Sequence, residues 1–328
     1  MEYTYLGRTA LQVSRLCLGT LNLGVRATKE ESFEILDRGL DRGINFLDTA
    51  NQYGWQIYKG FTEELLGEWF AQGGGRRDQV VLATKVYNAM SDRPNDGGLS
   101  ARHIIASCEA SLRRLRTDWI DLFQMHHVDR HAPWEEVWQA MEILTQQGKV
   151  RYVGSSNFAG WHLAEAQEAA ARRNFLGIVS EQSVYNMVTR YVELELIPAA
   201  QRYGVAVLAW SPLHGGLLSG ALRKLEEGTA VKTAQGRAMQ ALEAHRDAVA
   251  GYEKLCAGIG ADPAEVGMAW VMSRPGVTAP VIGPRSIRQL ESALGALDLN
   301  LTDELLAEID QLFPPLGNGG PGPEAWAW

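Results

Sequence analysis

Four side chains of complementary chemistry stand at the ends of apolar runs. Asp48 lies in "INFLDTANQYG", Tyr53 follows five residues later, Lys85 closes "VVLATK", and His126 lies in "QMHHVD". A carboxylate, a phenol, an amine and an imidazole are the parts of a proton-transfer site. Singly, each has a plainer explanation: Asp favours caps and turns, and a rim Lys can snorkel to solvent. Together they constrain one another. A Lys in a strand buried on both faces must be paired or have a depressed pKa, and Asp48 on the neighbouring strand is the natural partner. A Lys–Asp pair beside a phenol stabilises the phenolate and draws the tyrosine's pKa of about 10 towards the working range. Tyr53 then reads as a general acid, and Asp48 limits the cost of burying the lysine. His126 reads as a neutral donor that orients a substrate carbonyl. His127 and His131 read as surface or structural. Adjacent strand residues point to opposite faces, and this pair would need helical spacing in a loop, so no metal site is expected.

Residues this far apart in sequence need a scaffold that gathers strand ends. Short apolar runs at 13–18, 45–48, 80–85, 120–125, 152–155, 178–182, 205–210 and 279–282 alternate with amphipathic stretches such as "TKEESFEILDRGLDRG" and "WEEVWQAMEILTQQG". Thr28 with Glu31 has capping-box spacing, and Asp262-Pro263 with Glu265 marks another helix start. Gly43, Gly148 and Gly204 stand where helices should stop. Eight strands each followed by a helix predict an α/β fold, a (β/α)8 TIM barrel, with its chemistry at the C-terminal strand ends. A doubly wound sheet would bring a Gly-rich phosphate turn after its first strand, and "LGTLNLG" is not one. One catalytic domain over residues 1–312 is expected, with a poorly ordered tail over 313–328. The connection at about 213–246 reads as a lid or cofactor-covering loop.

Composition narrows the classes. Of 328 residues, 46% are hydrophobic and 21% charged, as in ordinary globular proteins. A net charge of −8 leaves no basic stripe for nucleic acid. The three cysteines, Cys17, Cys108 and Cys256, form no CxxC and suggest no disulfide framework. No segment reads as a signal peptide or membrane span, so a reduced, cytoplasmic protein is expected.

With "ATKV", "VGSSNF", "SEQSVYN", "AWSPL" and "VIGPRS" followed by "QLESAL", the chain resembles the aldo-keto reductase family over residues 3–312. The resemblance implies a catalytic set of Asp48, Tyr53, Lys85 and His126, a small-molecule carbonyl substrate, and NADP(H) extended across the barrel mouth. Gly19 and Thr20 would lie near the nicotinamide. Ser156, Asn157 and Gln182 would hold its carboxamide, and Trp210, where many members have Tyr, would stack on the ring. Ser211, Leu213, Gly215, Leu217 and Gly220 would wrap the pyrophosphate. Gly283 would also bind the cofactor; near the adenosine end Arg285 would bind the 2′-phosphate with Gln289 assisting, and Arg suits that role because its planar fork grips phosphate. Ser292-Ala293 replaces the Glu-Asn pair that usually meets adenine.

"YGWQIYKGFTEELLGEWFAQGGGRR", "HAPWEEVWQA" and "HGGLLSGAL" are further similar to the NDP-hexose 2,3-enoyl reductases of deoxysugar pathways. This implies a nucleotide-linked keto sugar as substrate, bound by loops at 25–28, 56–61, 87–98 and 130–134. Family members that reduce C=C bonds in steroids have Glu where this chain has His126, which favours a carbonyl. The competing readings are an enoyl (C=C) reductase, a non-catalytic NADPH-sensing partner subunit like the channel β subunits of the family, and a metal-dependent barrel hydrolase.

Overall fold

A strand that is apolar on both faces can be satisfied only by neighbours on both edges and cover on both sides. The computed structural model, which describes residues 1–228 and 237–316, meets that demand with a closed parallel barrel. After a hairpin of β1 (Tyr3–Tyr5) and β2 (Gln12–Ser14), the barrel strands are β3 (Cys17–Gly19), β4 (Phe46–Asp48), β5 (Val81–Val86), β6 (Ile120–Met125), β7 (Val150–Ser156), β8 (Ile178–Val184), β9 (Ala206–Trp210) and β10 (Val277–Ile282). They pair in chain order, and β10 closes on β3 through Val281 with Cys17 and Ile282 with Leu18. The α/β fold is the expected (β/α)8 TIM barrel.

The helices begin and end for local reasons. Thr28 and Glu31 form the expected capping box on α1 (Lys29–Asp41), and Gly43 beyond it has φ 85°. α2 (Phe61–Phe70), α3 (Ala101–Leu115), α4 (Trp134–Gln146), α5 (Gly160–Ala171) and α6 (Leu196–Tyr203) follow β4 to β8 in turn. Gly148 and Gly204, at φ 70° and 65°, end α4 and α6 as their spacing predicts. α7 (Ala221–Glu226), α8 (Arg237–Ala244), α9 (Arg246–Gly258) and α10 (Pro263–Ser273) separate β9 from β10. Asp262 caps α10 by accepting from the Ala264 N–H, with Pro263 at its first position. α11 (Ile287–Gly295) and α12 (Asp303–Leu312) complete the chain.

Three expectations change. Residues 13–18 are two strands: β2 turns back antiparallel on β1, and the barrel begins only at Cys17. The hairpin closes the barrel floor, where Leu6 and Val13 are fully buried with Cys17, Phe46, Val179 and Leu208. Gly7 lets it approach: at φ 56°, an added Cβ would stand 2.6 Å from the backbone oxygens of Val179 and Gly204. The connection at 213–246 carries α7 and α8, while its residues 229–236 lie outside the described residues. Phe313, assigned to the tail, is buried against Tyr252, and the tail residues 317–328 lie outside the described residues.

Candidate active site

The C-terminal strand ends converge on a polar layer across the barrel. Asp48 is the last residue of β4 and is 2% exposed; Lys85 of β5 is completely buried. Lys85 Nζ lies 2.5 Å from Asp48 Oδ2 and also donates to Thr49 O at 2.9 Å. Its third donor reaches the Tyr53 hydroxyl at 3.2 Å. All three ammonium hydrogens are therefore used, which is what a buried lysine requires. Burial pulls the Lys85 pKa down, but Asp48 and Tyr53 more than offset this and hold it above its ordinary value.

The remaining oxygen of Asp48 is also occupied. Gln182 Nε2 of β8 donates to Asp48 Oδ1 at 2.8 Å, and Gln124 Nε2 of β6 donates to the same atom at 3.0 Å. Besides the carboxamide role the resemblance implies for Gln182, its amide nitrogen reaches Asp48 across the barrel. Gln124 was not singled out from the sequence. Its only signal was a polar residue inside the apolar run "IDLFQM".

Tyr53 departs from expectation. Burial is the largest influence on its phenol and raises the pKa, outweighing the opposite pull of Lys85. The hydroxyl is thus held protonated rather than drawn down towards neutrality. His126 follows β6, with its ring edge-on to that of Tyr53 at 6.1 Å between centroids. Burial, then Lys85 and His127, push its pKa down to about 2, so the imidazole is neutral. Nδ1 is buried with no hydrogen-bond partner among the described residues, so the proton belongs on Nε2, at the more open edge of a half-buried ring. His127 does not point to the opposite face. Beyond the strand end it stacks on His126 at 5.0 Å with 4° between the rings, and Tyr87 packs edge-on against it. Among the described residues no three His, Cys, Asp or Glu side chains gather to hold a metal.

The other expected positions surround this layer. Gly19 pairs with Asp48 in register, and the Thr20 hydroxyl is spent on Asp48 O at 3.0 Å. Asn157 sits at φ 60° just past β7. Its amide nitrogen donates to His126 O at 3.1 Å and to Ser156 Oγ at 3.0 Å, and its oxygen accepts from Trp210 Nε1 at 3.1 Å. Ser156 Oγ in turn donates to Gln182 O at 2.8 Å. One asparagine therefore ties together the ends of β6, β7 and β9. Beneath it, the buried Glu181 carboxylate accepts from Ser155 Oγ, from Ser183 Oγ at 2.6 Å and from the Phe158 N–H at 3.1 Å.

After β9 the chain turns through Ser211 (φ 56°), Gly215 (φ 67°) and Gly220 (φ 80°). Ser211 Oγ accepts from the Gly215 N–H at 3.2 Å, and Leu213 packs at α10 beside Gly267. Leu217 is fully buried and its N–H is bonded to His214 O, so it shapes this turn and presents no donor. Across the mouth, Gly283 O accepts from Asn22 Nδ2, and the Arg285 N–H donates to Gln289 Oε1 at 2.8 Å. The half-buried Arg285 guanidinium forms no ion pair with a described residue, and burial and the nearby Arg26 both push its pKa down. Among the described residues no acid pairs with Arg26 or Arg285, which favours an anion at this place. Two of the proposed substrate loops meet where Lys59 Nζ donates to Ala89 O at 2.6 Å. Among the described residues no helix is long and apolar enough to cross a membrane.

Comparison with known proteins agrees with this geometry. Residues 15–313 match the model of the aldo/keto reductase family. The chain is 51% identical over 333 residues to the uncharacterized oxidoreductase YrpG of Bacillus subtilis, covering 100% of both proteins. It is 32% identical to a probable voltage-gated potassium channel subunit beta of Arabidopsis thaliana, over 95% of this chain and 97% of that protein. It is 30% identical to the versiconal hemiacetal acetate reductase of Aspergillus parasiticus, over 96% of this chain and 98% of that protein. This chain belongs to the aldo/keto reductase family and is an NAD(P)-dependent oxidoreductase.

Proposed function

We propose that the chain is an NADPH-dependent carbonyl reductase in which Tyr53 gives its proton to the carbonyl oxygen. The observation that carries this reading is the continuous contact from Asp48 through Lys85 to the Tyr53 hydroxyl, beside a neutral His126. When bound, the reduced nicotinamide supplies the hydride that reaches the carbonyl carbon. His126 Nε2–H and the Tyr53 hydroxyl hold the carbonyl oxygen. As charge develops on that oxygen, Tyr53 releases its proton to it and becomes a phenolate. Lys85, at 3.2 Å, balances the new charge. Burial keeps the phenol loaded beforehand, and Lys85 stabilises it afterwards; the two effects act at different moments of one transfer.

The cofactor preference rests on Arg285. A half-buried guanidinium beside Arg26 is suited to a phosphate monoester, which NADPH carries and NADH lacks. Ser156, Asn157 and Trp210 would meet the nicotinamide end, and the turn from Ser211 to Gly220 the pyrophosphate. For the substrate, Trp55, Ile57 and Tyr58 are exposed, and their loop meets the polar loop at 87–98 through Lys59 and Ala89 O, which supports a bulky polar carbonyl compound. A nucleotide-linked keto sugar is the substrate we infer within that class. The test is NADPH and NADH oxidation with a reactive aldehyde, beside Arg285→Ala. Loss of one charge-assisted phosphate contact should raise the NADPH Kd roughly 10- to 100-fold and leave NADH nearly unaffected. Equal effects on both cofactors would remove Arg285 from the phosphate site.

A further inference from the structure

Gln124 lies on β6, two residues before His126, and is completely buried. A carboxylate can only accept, so the amide nitrogen must be the atom that faces Asp48 Oδ1, at 3.0 Å. The other end, Oε1, is buried and receives no donor from a described residue. The barrel leaves room for this side chain at a specific place. Gly154 is its register partner on β7, and a Cβ there would stand 3.0 Å from Gln124 Cγ.

Fold stability alone favours leucine at this position. A buried acceptor without a donor weakens a core, and an apolar side chain of similar volume would avoid it. What leucine could not supply is the N–H on Asp48. The Asp48 carboxylate turns about a single bond, and which oxygen faces Lys85 depends on what holds the other. Gln124 and Gln182 approach Oδ1 from β6 and β8, which fixes that rotation and leaves Oδ2 for Lys85 Nζ. Resting on the reading of Tyr53 as proton donor, we propose that Gln124 is a positioning residue. It holds Asp48 so that Lys85, and through it the Tyr53 hydroxyl, stays aligned for proton transfer.

Two substitutions in the intact protein test this. Gln124→Leu should lower kcat roughly 10- to 100-fold, the worth of one hydrogen bond to a charged group, with the NADPH Kd and Tm nearly unchanged. Gln124→Glu gives a signature that a purely structural role would not. A protonated carboxyl can donate to Asp48, whereas a carboxylate cannot and repels it. The variant should therefore approach wild-type kcat at acid pH and lose it as pH rises, while the wild type stays level. Asp48 from β4 and Lys85 from β5 are the charged groups beside this position, with Tyr53 and His126 the next titratable ones. A Gln124→Leu kcat within about twofold of wild type overturns the proposal. So does a kcat loss matched by equal losses in Tm and cofactor affinity, or a Gln124→Glu profile parallel to wild type. Should Tyr53→Phe keep full turnover, the reading beneath has failed instead.

Discussion

At the scale of single residues, the site separates two groups whose ordinary pKa values would bracket neutrality. His126 is pushed down to about 2 and Tyr53 is raised, so neither changes charge across the physiological range. Carbonyl reduction at saturating substrate should therefore be level from about pH 6 to about pH 9. An inflection near the ordinary histidine value, seen in kcat against pH, would contradict the neutral role of His126. Asp48, Lys85, Tyr53 and His126 were legible in the sequence as a group: each alone has a bland purpose, but a buried Lys needs a partner, and strand ends supply Asp48 beside it. The direction of the Tyr53 shift was not legible. It depends on how much protein covers the ring, and spacing carries no information about cover. Gln124 was hidden for a related reason: it bears no charge, and its partner is 76 positions away in sequence.

At the scale of elements, the turn from β7 into α5 carries Ser156 and Asn157, and the N-cap residue Ala159 brings no side-chain acceptor of its own, its N–H going to His162 Nδ1 at 3.3 Å. Glu181 stands in from β8 by accepting the Phe158 N–H, and it does so without a cation. Burial, against four hydrogen bonds, raises its carboxyl from 4.5 to about 7. The sign follows from linkage. The folded state keeps the proton more tightly than the unfolded chain, so this carboxyl's contribution is full below about pH 4.5 and lost as pH rises through about 7. Urea unfolding near pH 5 and near pH 8 should show wild type losing on the order of 3 kcal/mol more than Glu181→Gln across that step. Parallel curves would mean that Glu181 is ionised throughout. Most helix limits were legible because caps and glycines mark them locally, as at Thr28, Asp262 and Gly148. The β1–β2 hairpin was not: "YTY" is three residues long, and its strand character comes only from pairing with Gln12–Ser14.

At the scale of the whole molecule, the barrel is closed at one end and polar at the other. Leu6 and Val13 seal the floor, while the layer of Asp48, Lys85, Gln124 and Gln182 lies under the mouth. Chemistry is thus confined to one face, where the loops can vary without touching the closure of the sheet. Leu6 is fully buried inside the barrel, and Leu6→Ala should lower the unfolding free energy by about 2–5 kcal/mol. Denaturant unfolding gives that number directly, and a change under about 1 kcal/mol would mean that the hairpin is not part of the core. The barrel itself was legible from the alternation of eight apolar runs with amphipathic stretches, since each run had to be covered on both faces. Where the barrel domain ends was less so. "FPPLGNGGPG" looks like loose chain, yet the buried Arg190 takes both Asp310 and Phe313 O, at 2.7 and 2.9 Å. A contact 123 positions apart leaves no local trace.

The most direct measurement is carbonyl-dependent oxidation of NADPH by wild type and Tyr53→Phe, with cofactor affinity followed by protein fluorescence. The phenyl ring keeps the shape and removes only the proton that is to be given. Wild type should turn over, and the variant should lose at least about 1,000-fold in kcat while binding NADPH nearly as tightly. Turnover by Tyr53→Phe at the wild-type rate would contradict the central claim.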